Sequence, residues 1–345
     1  VMIALGRKIS LRDRMMIRES MNTTTLSGLV RLSMLYGGMT LAIELMGAAL
    51  LSVRMIPRYG VGRGIFLSIF HAISAFCNAG FDLFGHGVSL TPFARDPLVL
   101  LTISALIILG GLGFSVIFEC VMKRYHWRRF TLHARLVIVF SAALLAAGTV
   151  LYLLIEGDNP ATLGADSIGG FGGKVLNAFF QSVTMRTAGF NSIDLGTMKD
   201  ASKLVSVILM FIGASPASTG GGVKTTTIGV LFLLVLSVIR GQDDINVMKR
   251  RLPTDIIRRA LAIMTIYLTI MLLGTVALTL AEGGRKNFID LMFETTSALA
   301  TVGVTSAGTA GLSQTSHVLL IPLMDFGRVG PLTRALALTN KSSST

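Results

Sequence analysis

The sequence predicts an all-α polytopic membrane protein. Its expected plan is a set of pseudo-symmetric M1–P-loop–M2 repeats (helix, pore loop, helix) around a central pore, with three repeats visible and one M2 helix broken by an intramembrane loop. Three observations predict this class. The 345 residues are 52% hydrophobic and only 14% charged, with mean hydropathy +0.70, too apolar for a domain folded in water. Stretches of about 20 residues with few charges recur, the length a helix needs to cross ~30 Å of hydrocarbon. Between them a short polar-apolar motif appears three times.

The expected spans are Gly28–Val53, Pro97–Met122, Ala134–Ile155, Ala201–Ile239, Ala260–Ala281 and Ser316–Leu338. Helices suit them better than barrel strands, which are about ten residues long and alternate apolar with polar. The net charge of +13 is not spread as a nucleic-acid footprint. Basic residues cluster at alternate helix ends: Arg7, Lys8, Arg12, Arg14, Arg18 and Arg31; Lys123, Arg124, Arg128, Arg129 and Arg135; Arg240, Lys249, Arg250, Arg251, Arg258 and Arg259. The opposite loops mix fewer bases with Glu156, Asp158, Asp166, Asp200, Glu282 and Asp290. This is the positive-inside pattern, so the clusters are expected in the cytoplasm, with anionic lipid headgroups nearby. Cys77 and Cys120 are too few for a disulfide framework and read as small buried hydrophobes.

The recurring motif is "FHAISAFCNAGF" (Phe70–Phe81), "FFQSVTMRTAGF" (Phe179–Phe190) and "FETTSALATVGV" (Phe293–Val304). Gly80, Gly189 and Gly303 lie about 110 residues apart, the period of an internal repeat. Each copy is too short to span and is expected on the outer side. Irregular backbone at membrane depth survives where it lines a cavity or is buried in protein. Three such loops facing one axis would aim carbonyl oxygens into a narrow pore, where they replace the hydration shell of a monovalent cation. Glycine permits the torsions that turn the carbonyls inward, and the half-helix before each loop points its negative end at the ion. The competing reading, ordinary re-entrant hairpins that pack the bundle, does not account for three matching copies. No carboxylate lies in the motifs, which disfavours a divalent site.

The stretch "FIGASPASTGGGVKTTTIGVLFLL" (Phe211–Leu234) cuts a membrane-length segment near its middle. Pro216 removes a backbone donor. Gly220, Gly221 and Gly222 add freedom without bulk, and Ser215, Ser218, Thr219 and Thr225–Thr227 can satisfy the freed backbone. Lys224 in an intramembrane position is a functional candidate by default. "GGGVKTTT" fails the phosphate-loop order G-x-x-x-x-G-K-[ST], because Val223 separates glycine from lysine. "LGGLGF" (Leu109–Phe114) reads as a small-residue face for close helix packing. Glu44 needs a buried partner, and Arg186 is expected to order its loop through backbone carbonyls or Glu294. No HExxH, GxSxG or paired-carboxylate motif appears, so the sequence does not read as an enzyme.

These residues resemble the Trk/Ktr/HKT superfamily of potassium transporters. "FHAISAFCNAGFDLFG", "QSVTMRTAGFNSIDLG", "FETTSALATVGVT" and "GRVGPLT" carry the likeness, which is nearest to the bacterial Ktr-type (KtrB-like) membrane subunit. The resemblance implies four repeats, of which this chain shows the second to fourth. On that reading 1–27 is the end of a preceding M2 helix and a basic linker, 28–123 the second repeat, 124–250 the third with its broken M2, and 251–345 the fourth with a C-terminal tail. The first repeat is expected before Val1. The ion-binding residues it implies are Asn78, Ala79, Gly80 and Phe81; Thr187, Ala188, Gly189 and Phe190; Thr301, Val302, Gly303 and Val304. The gate residues are Ser215, Pro216, Ser218, Thr219, Gly220, Gly221, Gly222 and Lys224, with Arg328 in the last helix holding the loop by its carbonyls. The implied activity is potassium uptake, Na⁺-coupled or not, in the bacterial inner membrane. K⁺, and Na⁺ if coupled, are the ions, with no covalently bound cofactor. The implied partners are a second copy of the membrane subunit, a cytoplasmic nucleotide-binding regulatory ring (KtrA/TrkA-like) and the lipid bilayer, not nucleic acid. The alternative is a non-conducting structural or signalling membrane protein that retains the pore repeat.

Overall fold

The computed structural model describes residues 29–329, apart from 86, 124–125, 242–245, 248–249 and 252. The expected helix end and basic linker at 1–27, and the last span beyond 329, lie outside the described residues. Eleven α-helices are described: α1 Leu29–Tyr59, α2 Val61–Phe76, α3 Pro97–Leu112, α4 Phe114–Met122, α5 Leu132–Glu156, α6 Phe171–Thr184, α7 Asp200–Phe211, α8 Thr225–Ile239, α9 Thr254–Glu282, α10 Phe288–Leu299 and α11 Gln314–Val329. A ribbon of two residues per strand, Asn246–Val247 with Arg250–Arg251, is the sheet content among the described residues.

The helices fall into three units of one plan. In each, a long M1 helix (α1, α5, α9) is followed by a half-helix (α2, α6, α10), an irregular loop, and M2. M2 is α3 with α4 in unit A, α7 with α8 in unit B, and α11 in unit C. The M1 helices have 31, 25 and 29 residues, which at about 1.5 Å per residue exceeds the hydrocarbon thickness. Their outward faces carry exposed large apolar side chains, among them Leu41, Leu45 and Leu50, Leu151 and Leu154, Leu272, Leu273 and Leu280. Such a surface is stable against lipid, not water. The half-helices, of 16, 14 and 12 residues, are too short to span and bury one face in protein, through Phe76, Phe180 and Phe293. One apolar core joins units B and C; a second packs unit A against α6 and its loop, through Phe180, Val183, Ala188 and Phe190; a small third joins α4 to the start of α5, through Val116, Phe130, Ala134 and Val137.

Local chemistry sets the helix ends. Asp96 caps α3, accepting from the N–H groups of Leu98 and Val99, with Pro97 at the first helical position. Thr131 caps α5 by accepting from Ala134. Gly283, left-handed at φ 55°, stops α9.

The structure alters several sequence readings. α1 runs six residues beyond the expected Val53. Pro97–Met122 is not one straight span: its two parts meet at 99°. The bend sits at Gly113, φ 92°, where a Cβ would lie 2.5 Å from the Pro216 carbonyl oxygen. Phe114 donates its N–H to Ala217 O at 3.0 Å instead of continuing the helix. The small residues Leu109–Phe114 therefore serve close approach to the α7–α8 loop and to the end of α2, not to a neighbouring span. Glu156, Glu282 and Asp290, read as outer-loop charges, are all buried. Glu156 accepts from the Lys199 N–H at 2.8 Å and Glu282 from the Ser313 N–H at 2.7 Å. Each thus ties the end of M1 to the start of M2 in its unit. Unit A makes the same tie with Arg54 on Asp96, 3.1 Å.

Candidate ion filter and gate

Each half-helix ends in a turn that reverses the backbone. Ala79 N–H donates to Ser74 O at 2.9 Å, Ala188 N–H to Thr184 O at 2.9 Å and Val302 N–H to Ser297 O at 2.8 Å. Beyond the turn, left-handed residues alternate with ordinary ones. Asn78 and Gly80 have φ of 50° and 69°, Thr187 and Gly189 of 72° and 94°, Thr301 and Gly303 of 54° and 91°. Alternating the sign of φ turns successive carbonyls toward one side of an extended strand. Non-glycine residues resist this conformation, so three matched pairs mark positions that the surroundings over-determine.

A hydroxyl from each half-helix fixes the outer end of its strand. Ser74 Oγ donates to Phe81 O at 2.8 Å, Thr184 Oγ1 to Phe190 O at 2.5 Å and Ser297 Oγ to Val304 O at 2.6 Å. These bonds turn the carbonyls of Phe81, Phe190 and Val304 back toward protein. Phe81, Phe190 and Val304 belong to the ion-binding set that the resemblance implies, and here the carbonyl of each accepts one of these hydroxyls.

The three glycines share one locus. A Cβ on Gly80 would stand 2.5 Å from Ala188 O, and one on Gly189 would stand 2.5 Å from Val302 O and 3.5 Å from Ala79 O. Each of these glycines therefore faces the carbonyl just before the glycine of the next unit, as in a ring. The corresponding side of Gly303 is open. A cavity of about 480 Å³ lies over all three glycines, with Asp82 and Asp194 in its wall. A second, of about 380 Å³, separates Ala79 and Phe81 from Thr301–Val304.

Beneath the ring lies the break between α7 and α8, residues 212–224. The bend in unit A leaves carbonyls at the end of α3 without helical donors. The loop supplies donors to them: Ser215 N–H to Gly111 O at 3.0 Å and Thr219 N–H to Gly110 O at 3.3 Å. Thr219 Oγ1 also donates to Phe76 O, at the end of α2, at 3.0 Å. Ser215 Oγ and Thr225 Oγ1 are 2.9 Å apart. Thr225–Thr227 form the first turn of α8, so they lie outside the loop. Pro216 and Ser218 lie on its half-buried side, and Gly222 is left-handed at φ 70°.

Gly220 and Gly221 press directly against the filter base. A Cβ on Gly220 would lie 2.3 Å from Thr187 Oγ1, and one on Gly221 would lie 2.2 Å from Thr301 Oγ1. Those two hydroxyls are buried without a hydrogen-bond partner. Lys224 Nζ donates to Gly220 O at 2.7 Å, closing the loop on itself, and Arg328 Nη1 donates to Thr219 O at 3.2 Å. Both cations thus hold loop carbonyls.

Two other charged residues take partners that the sequence did not indicate. Arg186 is buried and reaches Ser141 Oγ on its own M1 at 3.2 Å, in place of the expected carbonyls or Glu294. Glu44 receives a bond from Cys77 Sγ at 3.9 Å. The sequence reading also passed over the Lys203–Asp290 ion pair, 2.7 Å long and buried on both sides. Its signal was present, as a lysine in an apolar span and an acid in a half-helix, but the partners stand far apart in sequence.

Comparison with known proteins gives a consistent set of likenesses. Residues 2–344 match the family described as TrkH, cation transport protein. The chain is 40% identical over 333 residues to the Ktr system potassium uptake protein B of Bacillus subtilis, covering 96% of this chain and 73% of that protein. It is 35% identical over 339 residues to the potassium/sodium uptake protein NtpJ of Enterococcus hirae, covering 98% and 74%. In fold it resembles the crystal structure of the potassium transporter TrkH from Vibrio parahaemolyticus, with TM-score 0.73 and 18% identity over 94% of this chain and 68% of that one.

Proposed function

The chain belongs to the TrkH family of cation transport proteins, and on that premise we propose that it takes up potassium across the bacterial cell membrane through the ring of loop carbonyls. The observation that carries the proposal is the convergence of Gly80, Gly189 and Gly303 with the carbonyls of Ala79, Ala188 and Val302. A dehydrating K⁺ exchanges water for those oxygens. The C-terminal ends of α2, α6 and α10 add a favourable field. The pore needs no energy source beyond the membrane potential, since 100 mV supplies about 2.3 kcal/mol per monovalent ion. Asp82 and Asp194 raise the cation concentration at the mouth.

In this reading the 212–224 loop is the gate. It seats against Thr187 and Thr301 and is held there by Arg328, so the path below the ring is closed in the conformation seen. Opening requires the loop to leave the α3 carbonyls. A second copy of the chain and a cytoplasmic nucleotide-binding ring are the proposed partners, the ring moving the gate. The relatives named for potassium and for potassium/sodium uptake support K⁺ as the cargo.

The test is complementation. The protein should restore growth at limiting potassium to a bacterium stripped of its own uptake systems. Correctly inserted protein that restores no growth would favour the non-conducting membrane protein instead.

A further inference from the structure

The loop of unit C is braced differently from the other two. Asp290 and Glu294 on α10 reach past the filter to the segment that follows it. Ser306 Oγ donates to Asp290 Oδ1 at 2.8 Å. Glu294 accepts from Thr305 Oγ1, from Thr309 Oγ1 at 3.0 Å and from the Ala307 N–H at 3.4 Å. Lys286 Nζ donates to Ala307 O at 2.6 Å. Counted back from the filter glycine, Asp290 and Glu294 correspond to Leu67 and His71 in unit A, and to Asn177 and Gln181 in unit B, whose turn is one residue tighter. Unit C alone carries acids at these two positions.

Asp290 has its counter-ion outside its own unit. Lys203 Nζ lies 2.7 Å from Asp290 Oδ1, with side-chain exposures of 6% and 12%. Lys203 stands on α7, eight residues before Phe211, where that helix gives way to the gate loop. At about 1.5 Å per residue the pair and the gate are joined by about 12 Å of continuous helix. A pair this buried is strongly directional, because moving either charge off its partner strands it in apolar surroundings.

We infer that Lys203 and Asp290 are positioning residues for K⁺ selection: their ion pair fixes the outer end of the unit C filter to the helix that carries the gate. Neither touches the ion path. The inference rests on the filter reading above.

The experiment measures K⁺ against Na⁺ uptake into proteoliposomes holding the full-length protein. Each single neutralisation leaves one buried charge alone, so the double variant K203M/D290N carries the test, with K203R as the conservative rescue. The expected result is a fall of about tenfold in K⁺ preference for the double variant, at unchanged thermal melting, because a slightly misplaced filter strand loses discrimination before it loses its fold. K203R should keep the wild-type ratio. A double variant within twofold of the wild-type ratio would overturn the inference while leaving the filter intact. So would K203R losing preference as far as the double variant does. A wild type without K⁺ preference would overturn the filter reading itself, and this inference with it.

Discussion

Glycine and hydroxyl positions decide what the ring and its gate can do. Gly220 is boxed in by Thr187 Oγ1 and by Ala214 Cβ, which would stand 2.3 and 2.4 Å from an added Cβ. Gly220→Ala should therefore keep the loop from seating and raise basal K⁺ flux several-fold; flux at or below wild type would contradict the closed-gate reading. The hydroxyl clamps behave differently. Ser297→Ala removes the bond to Val304 O, worth about 1 kcal/mol. It should lower K⁺ preference, and Ser297→Thr should restore it in the same flux assay. The positive φ of Gly80, Gly189 and Gly303 was legible in the sequence because a left-handed requirement is written in residue type. The clamps were not, because serine and threonine in a half-helix also bond routinely to their own preceding turn.

Whole helices show where local pattern stops being informative. The broken M2 of unit B was legible from Pro216 and the glycine run. The bend in unit A was not, although Gly113 lies in plain view, since glycine in a membrane helix more often serves packing. What bends the helix is a loop about 100 residues away offering donors to its last carbonyls. Gly113→Ala combines a positive-φ, extended conformation, costing about 1–3 kcal/mol, with a backbone clash. It should lower the melting temperature by several degrees and loosen the gate together; a variant of wild-type stability would show that the bend is not imposed by the loop. On α11, Arg328→Gln removes the charged hold on Thr219 O. It should raise basal flux a few-fold without altering K⁺ preference, and a changed preference with unchanged flux would place Arg328 in the filter instead.

Across the whole molecule, the repeat was legible because three copies of one motif at one period leave few alternatives. The charged ties were not. Lys203 and Asp290 are 87 positions apart and join different units, and the Arg54–Asp96, Glu156–Lys199 and Glu282–Ser313 ties use different chemistries for one purpose. Hydrophobic pattern specifies that a segment crosses the bilayer; it does not specify which carbonyl a loop will seek. The central claim belongs to this scale, because a ring exists only when loops from separate units meet. The most direct measurement is the K⁺/Na⁺ flux ratio of the full-length protein and of Gly189→Ser, whose side chain would enter the ring 2.5 Å from Val302 O. The account predicts a wild type that favours K⁺ and a variant whose ratio falls toward one at equal membrane insertion. An unchanged ratio in the variant would contradict it.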